Sequence, residues 1–144
     1  MKNIILSFFA VFILTIVSNC SSARVSNQHY QREWMMVSFD TFTRQELIEN
    51  GAEINLTGEK SGEIIKANAK MGCNNIFFGA ELKSNGKIKI TDVGSTEMSC
   101  ESIKLETAFL KQIGSMSHYK IEGHRLTLSN HKGNEMKFIA ADWD

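Results

Sequence analysis

Polar and apolar positions alternate with a period of two through most of residues 33–140, and the period changes to that of a helix once. Glu33 to Asp40 (EWMMVSFD) sets Trp34, Met36 and Ser38 on one face and Met35, Val37 and Phe39 on the other. Apolar residues on both faces predict a strand in the middle of a sheet. Arg44 to Asn50 reads as a polar connection around Leu47 and Ile48, closing at Asn50-Gly51. Ala52 to Thr57 alternates Ala52, Ile54 and Leu56 with Glu53, Asn55 and Thr57, a strand with one wet face, and Gly58 to Gly62 follows as a turn. Glu63 to Ala69 is the next strand. Asn75 to Lys83 and Lys87 to Val93 are joined through Asn85-Gly86, a pair that accepts positive φ at both positions of a type I′ turn, so residues 75–93 form a hairpin. From Glu97 onward Met98, Leu105, Phe109, Ile113 and Met116 recur at helical spacing, widened by Ile103 and Leu110. This predicts one main helix over about residues 97–113, ended by Gly114 in a left-handed cap. Tyr119–Glu122, Arg125–Ser129 and Glu135–Ala140 then make a three-stranded meander.

The chain before residue 33 follows a different rule. Lys2 precedes an uninterrupted apolar and small-residue run of 14 positions, Ile4 to Val17, too short for the ~20 residues that span a bilayer but of signal-peptide length. Val17-Ser18-Asn19-Cys20 is similar to a bacterial lipobox, with an aliphatic residue three places before the cysteine and Asn19 where Gly, Ala or Ser is usual. On this reading residues 1–19 are a lipoprotein signal peptide and Cys20 becomes the acylated N-terminus, tethering the protein to a membrane without a transmembrane helix. The rival is ordinary cleavage after Ser21-Ser22-Ala23, which would release a soluble periplasmic protein. Residues 20–32 are polar and aperiodic, as a tether is, and the domain occupies 33–144.

Composition narrows the functional classes. With 144 residues, 42% of them hydrophobic and 22% charged, the chain has material for one folded domain. Lys and Arg together number 16 and so do Asp and Glu, so no basic field exists to hold a phosphate backbone, and nucleic acid is excluded as a partner. There is no proline, so every turn falls to Gly, Asn, Asp and Ser.

Candidate chemistry centres on Cys73 and Cys100, the two cysteines beyond the export segment. In an exported protein such a pair commonly joins, and here the bond would staple the start of the 75–93 hairpin to the start of the helix. The alternative is two buried, unpaired thiols serving as small hydrophobes. A metal would need more ligands, and His29, His118, His124 and His131 supply no ligand spacing; they read as exposed polar residues in the tether, strand ends and turns. Gly58-Glu59-Lys60-Ser61 lacks the first glycine of a phosphate loop, and neither a nucleophile elbow nor a dinucleotide fingerprint occurs. No catalytic residue, metal or cofactor is assigned. Met35, Met36, Met71, Met98, Met116 and Met136 either fill the core or line an adaptable groove.

Laid out in this way, the chain resembles the META domain family, and within it the HslJ-like heat-inducible envelope lipoproteins of bacteria. The resemblance rests on Trp34 at the domain's start, Gly72-Cys73-Asn74 ahead of an aromatic strand, Thr96-x-Met98-x-Cys100, and Glu106 with Phe109-Leu110. It continues through Tyr119-x-Ile121-x-Gly123, Leu126-x-Leu128 and Met136-x-Phe138, covering about residues 33–141. It implies a small α+β domain, a curved antiparallel sheet of about seven or eight strands packed against the one main helix (about residues 97–113), with Trp34, Gly72, Asn74, Thr96, Met98 and Glu106 as motif residues and no catalytic residues. The function it implies is a non-catalytic envelope lipoprotein, monomeric and without cofactor, that supports outer-envelope integrity and tolerance of stress or of novobiocin-type antibiotics. Its expected place is the outer membrane, facing the periplasm, with a further envelope protein as a candidate partner. Two other classes stand beside it. A pilotin-like or inhibitor-like protein-binding lipoprotein predicts an open apolar groove or a protruding loop, although the Ser-Gly-x-x-Tyr signature of the inhibitors is missing; an enzyme predicts converging acids in a cleft.

Overall fold

The computed structural model describes residues 30–100 and 103–143; the expected signal peptide, Cys20 and His29 lie outside the described residues. Along the chain come β1 (Glu33–Phe39), α1 (Arg44–Glu49), β2 (Glu53–Asn55), β3 (Lys60–Ser61), β4 (Ile64–Lys70), β5 (Asn75–Leu82) and β6 (Ile88–Ser95). They are followed by α2 (Lys104–Ile113), β7 (His118–Glu122), β8 (Arg125–Ser129), β9 (Glu135–Ala140) and a closing 3-10 turn, Ala141–Trp143. Eight strands run in the order β6-β5-β4-β2-β1-β9-β8-β7, all antiparallel, and β3 pairs with β4 beside this path. The sheet curls until its two end strands touch at one corner. There Lys87 pairs with His118, the Ile88 N–H donates to the Ser117 carbonyl at 3.1 Å, and the Tyr119 N–H donates to the Gly86 carbonyl at 2.8 Å. The expected curved sheet with its helix is therefore the observed architecture.

Alternation decides what the curl encloses. Ile54, Ile65, Ala67, Ala69, Ile76, Phe78, Ala80, Leu126, Leu128, Met136, Phe138 and Ala140 point inward from their strands and are buried, with their sequence neighbours facing out. Helix α2 adds Leu105, Phe109 and Ile113, with Met116 just beyond it, to one continuous core. The ring of Phe109 meets that of Phe39 edge-on at 6.5 Å between centroids. At about 1.5–3 kcal/mol for each large side chain removed from water, this burial supplies the main favourable term in folding.

The fold departs from the sequence expectation in several places, each for a physical reason. Strand β1 does not keep strict alternation: its register against β9 shifts between Met36 and Ser38, leaving Val37 as an extra residue. The bulge turns Phe39 to the side of Trp34 and Met36, so all three are buried and Ser38 is exposed. Arg44–Glu49 is a helix rather than a connection, because Thr43 and Glu46 form a capping box: the Glu46 N–H donates to Thr43 Oγ1 at 3.2 Å and the Thr43 N–H to Glu46 Oε2 at 2.7 Å. The Thr43 N–H and then the Thr43 hydroxyl, both donating to Oε2, hold the Glu46 carboxyl below its ordinary pKa. The β5–β6 connection is not the two-residue type I′ turn. Gly86 has φ +78° while Asn85 is not left-handed, and the Gly86 N–H donates to the Lys83 carbonyl at 3.1 Å, making a wider turn in which glycine alone takes the left-handed position. Helix α2 begins at Lys104 and not near residue 97; Met98 and Ile103, counted in its apolar stripe, are 56% and 49% exposed. Gly114 caps it in a right-handed conformation, φ −64°. The tether assigned to 20–32 gives its last residues to the domain: the buried Tyr30 accepts through its carbonyl from Trp34 Nε1 at 2.9 Å, and the Arg32 carbonyl accepts from the Leu56 N–H at 3.0 Å.

Candidate functional site

The motif residues converge where β4 turns into β5. Gly72 occupies φ +118°, and a Cβ there would lie 2.8 Å from Oδ1 of Asn50, the residue that caps the C-terminus of α1. Only glycine satisfies both the dihedral and the close approach. The turn then presents Cys73 and Asn74. Cys73 is bonded to Cys100 across a Cα separation of 6.3 Å, as the disulfide reading expected. Asn74, 4% exposed, is bonded on every side. Its backbone N–H donates to Glu106 Oε2 at 3.1 Å and its Nδ2 to Glu106 Oε1 at 3.0 Å. Its Oδ1 accepts from the Met98 N–H at 2.8 Å and from Thr96 Oγ1 at 3.0 Å. Thr96 in turn accepts at Oγ1 from the Asn75 N–H at 3.1 Å, and its own N–H donates to the Asn75 carbonyl at 3.0 Å.

These bonds explain the late start of α2. Residues 96–100 form no helix: Thr96 and Met98 are bonded to Asn74 and Asn75 and Cys100 is pinned by the disulfide, so the helix begins only after these ties, at Lys104. Met98 serves through its backbone, which leaves its side chain in solvent. Glu106, 5% exposed, sits in the first turn of α2, where the helix N-terminus favours a negative charge. Five of the six motif residues, Gly72, Asn74, Thr96, Met98 and Glu106, thus form one lock with the Cys73–Cys100 bond. The sixth, Trp34, stands apart as a fully buried core side chain whose indole N–H is tied to Tyr30.

The chemistry open to this arrangement is limited. Both oxygens of Glu106 are engaged by Asn74 and the residue is buried, so the carboxylate braces helix against sheet and is not aimed at a cleft. The concave face of the sheet is filled by the core, with α2 closing it. Among the described residues no group of three or more His, Cys, Asp or Glu side chains is placed to hold a metal, and no helix is long and apolar enough to cross a membrane.

A second cluster escaped the sequence reading. His118 and His131, read as isolated exposed residues, lie edge-to-face with ring centroids 5.0 Å apart, beside Lys83, Lys87 and Lys89 at the corner where β6 meets β7. No local pattern joins these positions, because they come from three separate hairpins or turns. At the opposite corner of the meander His124 stacks on Trp143 at 3.6 Å, with Arg32 at 3.4 Å from its Nδ1.

The sequence model of the META domain family matches residues 27–143. The chain belongs to the META domain family. Its lock of Gly72, Asn74, Thr96, Met98 and Glu106 is therefore a feature of a META domain, read here at atomic detail. The fold is similar to the NMR structure of a protein from Burkholderia xenovorans, with a TM-score of 0.62 and 16% identity over 77% of this chain and 82% of that one. At that identity the likeness concerns the fold alone. No curated protein sequence matches the chain.

Proposed function

We propose that this META domain is a non-catalytic binding or structural module of a bacterial envelope lipoprotein, anchored through Cys20 and supporting envelope integrity under stress and novobiocin-type antibiotic challenge. The observation that carries the reading is the use made of the motif residues. They are spent on a lock, buried at Asn74 and Glu106, that fastens α2 and the 96–100 segment to the sheet, while the concave face is filled by the core. A domain braced in this way presents its outer surface to partners and keeps its shape in an oxidising compartment. The apolar run Ile4–Val17 followed by Cys20 supports export and acylation.

The test is metabolic labelling of the expressing cells with a clickable palmitate, followed by fractionation and in-cell cross-linking through a C-terminal tag. Label on the parent chain, none on Cys20→Ala, and loss of that variant from the membrane fraction are the expected results. Recovery of one envelope protein at near-equal amount would mark the module as an adaptor. An unlabelled, fully soluble parent chain would refute the anchor, and unchanged novobiocin sensitivity in a strain lacking the protein would refute the tolerance role.

A further inference from the structure

The corner at which the curled sheet meets itself gathers positive charge. A groove of about 370 Å³ there is lined by Lys83, Lys87, Lys89, Ser117, His118 and His131 over an apolar floor, Ile88. Among the described residues no carboxylate lines it. In a chain whose 16 Lys and Arg balance its 16 Asp and Glu, three lysines around one depression are a local excess, and bringing them together costs repulsion unless something neutralises them. Lys83 has a partner, Glu81 at 3.3 Å; among the described residues Lys87 and Lys89 make no ion pair.

The groups are held in place by the fold. The Lys87–His118 pairing, the Ile88 and Tyr119 N–H bonds across the seam, and the Tyr119 hydroxyl donating to the Lys83 carbonyl at 2.9 Å fasten the β5–β6 turn to β7. His118 Nδ1 lies 3.0 Å from Ser117 Oγ, which orients the ring. His131 sits in a turn closed by Asn130, whose Oδ1 accepts from the N–H groups of Lys132 at 2.9 Å and Asn134 at 3.1 Å. Cationic side chains rooted on a fastened backbone around a small depression are suited to a compact, multiply charged oxyanion, which each can approach from its own side.

We propose that this seam is a binding site for a phosphate monoester group, free or carried on a lipid, contacted by Lys87, Lys89, His118 and His131. The apolar floor at Ile88 accommodates the carbon next to the phosphate. The site lies on the outer surface, away from the Asn74–Glu106 lock, and depends neither on the anchor at Cys20 nor on a structural role for the domain.

The experiment is an NMR titration of the isotope-labelled full chain in maltoside micelles, with three probes: inorganic phosphate, dihexanoyl phosphatidic acid and dihexanoyl phosphatidylcholine. Saturable shifts of the amides of residues 87–89, 117–118 and 131 with phosphate and phosphatidic acid are expected, and Lys87→Gln with Lys89→Gln should weaken both by about tenfold or more. Lys66→Gln, at an ion pair with Glu59 elsewhere on the sheet, should leave them unchanged. Response to phosphatidic acid but not to phosphate would assign the site to a lipid headgroup. Equal response to phosphatidylcholine, shifts unaffected by the double variant, or no response to either phosphate probe would overturn the proposal.

Discussion

The Asn74–Glu106 contact gives the sharpest test of the lock. Asn74 cannot turn its amide over, because its Oδ1 faces the Met98 N–H at 2.8 Å, a donor that has no other role to take. Its Nδ2 must therefore face Glu106. In Glu106→Gln the new amide oxygen can still accept from the Asn74 backbone N–H, but its NH2 then meets Asn74 Nδ2, donor against donor. One hydrogen bond to a charged acceptor is lost, at about 1.5–3 kcal/mol, and a buried donor is left unsatisfied. Removing the charge from the first turn of α2 adds about 0.3–1 kcal/mol. The single variant should lose about 2–4 kcal/mol, a large part of a small domain's stability. Asn74→Asp alone should lose at least as much, since its second oxygen would face the Glu106 carboxylate. Combining Asn74→Asp with Glu106→Gln restores every donor to an acceptor: one carboxylate oxygen at position 74 serves Met98 and Thr96, and the other accepts from the amide at position 106. The double variant should therefore return to within about 1 kcal/mol of the parent, a favourable coupling that a double-mutant cycle measures directly. Urea unfolding of the oxidised proteins, with slopes compared, is the assay. A Glu106→Gln cost below about 0.5 kcal/mol, or a double variant whose loss equals the sum of the two singles, would refute the hydrogen-bond logic.

Other consequences can be checked with the same unfolding measurements. Replacing both Cys73 and Cys100 by Ser reopens a loop of sequence separation 27 and should cost about 3–4 kcal/mol in the chain-entropy description, with reductant doing the same to the parent. Gly72→Ala forces a side chain into φ +118° against Asn50 and should cost about 2–3 kcal/mol. Gly51→Ala, at φ +55° with no atom within 4 Å, should cost nearer 1 kcal/mol. Thr43→Ala removes the α1 cap and should cost about 1 kcal/mol. The lowered Glu46 pKa means that the capping box stabilises above the ordinary value of 4.5 and is lost as pH falls through the lower folded value, so the Thr43→Ala penalty should shrink at acid pH. Tyr119, whose hydroxyl is pushed above 10.0 by burial and then by nearby Tyr30, favours the neutral form when folded, so its contribution should fade as pH rises past that value; ultraviolet tyrosine titration should show a late-ionising group that becomes ordinary on unfolding.

Local pattern determined much of this protein. Period-two alternation marked Ala52–Thr57, Glu63–Ala69, Arg125–Ser129 and Glu135–Ala140 as strands, and in Ala52–Thr57 it set the apolar face apart from the wet one, because a strand's inward set is fixed by its own residues once one face is dry. The capping box at Thr43 and Glu46 was also written there, as Thr-x-x-Glu, and α1 was legible from its cap residues once they were weighed over the polarity of the segment. Cys73, Asn74, Thr96, Met98, Cys100 and Glu106 were singled out as motif positions, but their partnership was not. Sequence spacing cannot say that one asparagine side chain satisfies the backbone N–H of Met98 and the carboxylate of a helix residue 32 positions after it. The same limit explains the misplaced start of α2: Met98 and Ile103 fit a helical stripe by spacing, yet the bonds from Asn74 and the disulfide hold residues 96–100 out of the helix and override that local preference. The bulge in β1 and the cationic seam are likewise tertiary decisions. Only the curl of the sheet determines where Val37 must be set aside to keep Phe39 inside, and only its closure brings Lys87 and Lys89 beside His118 and His131. Which residues face inward is a property of each segment; which segments meet is settled by the packing of the whole chain around one core.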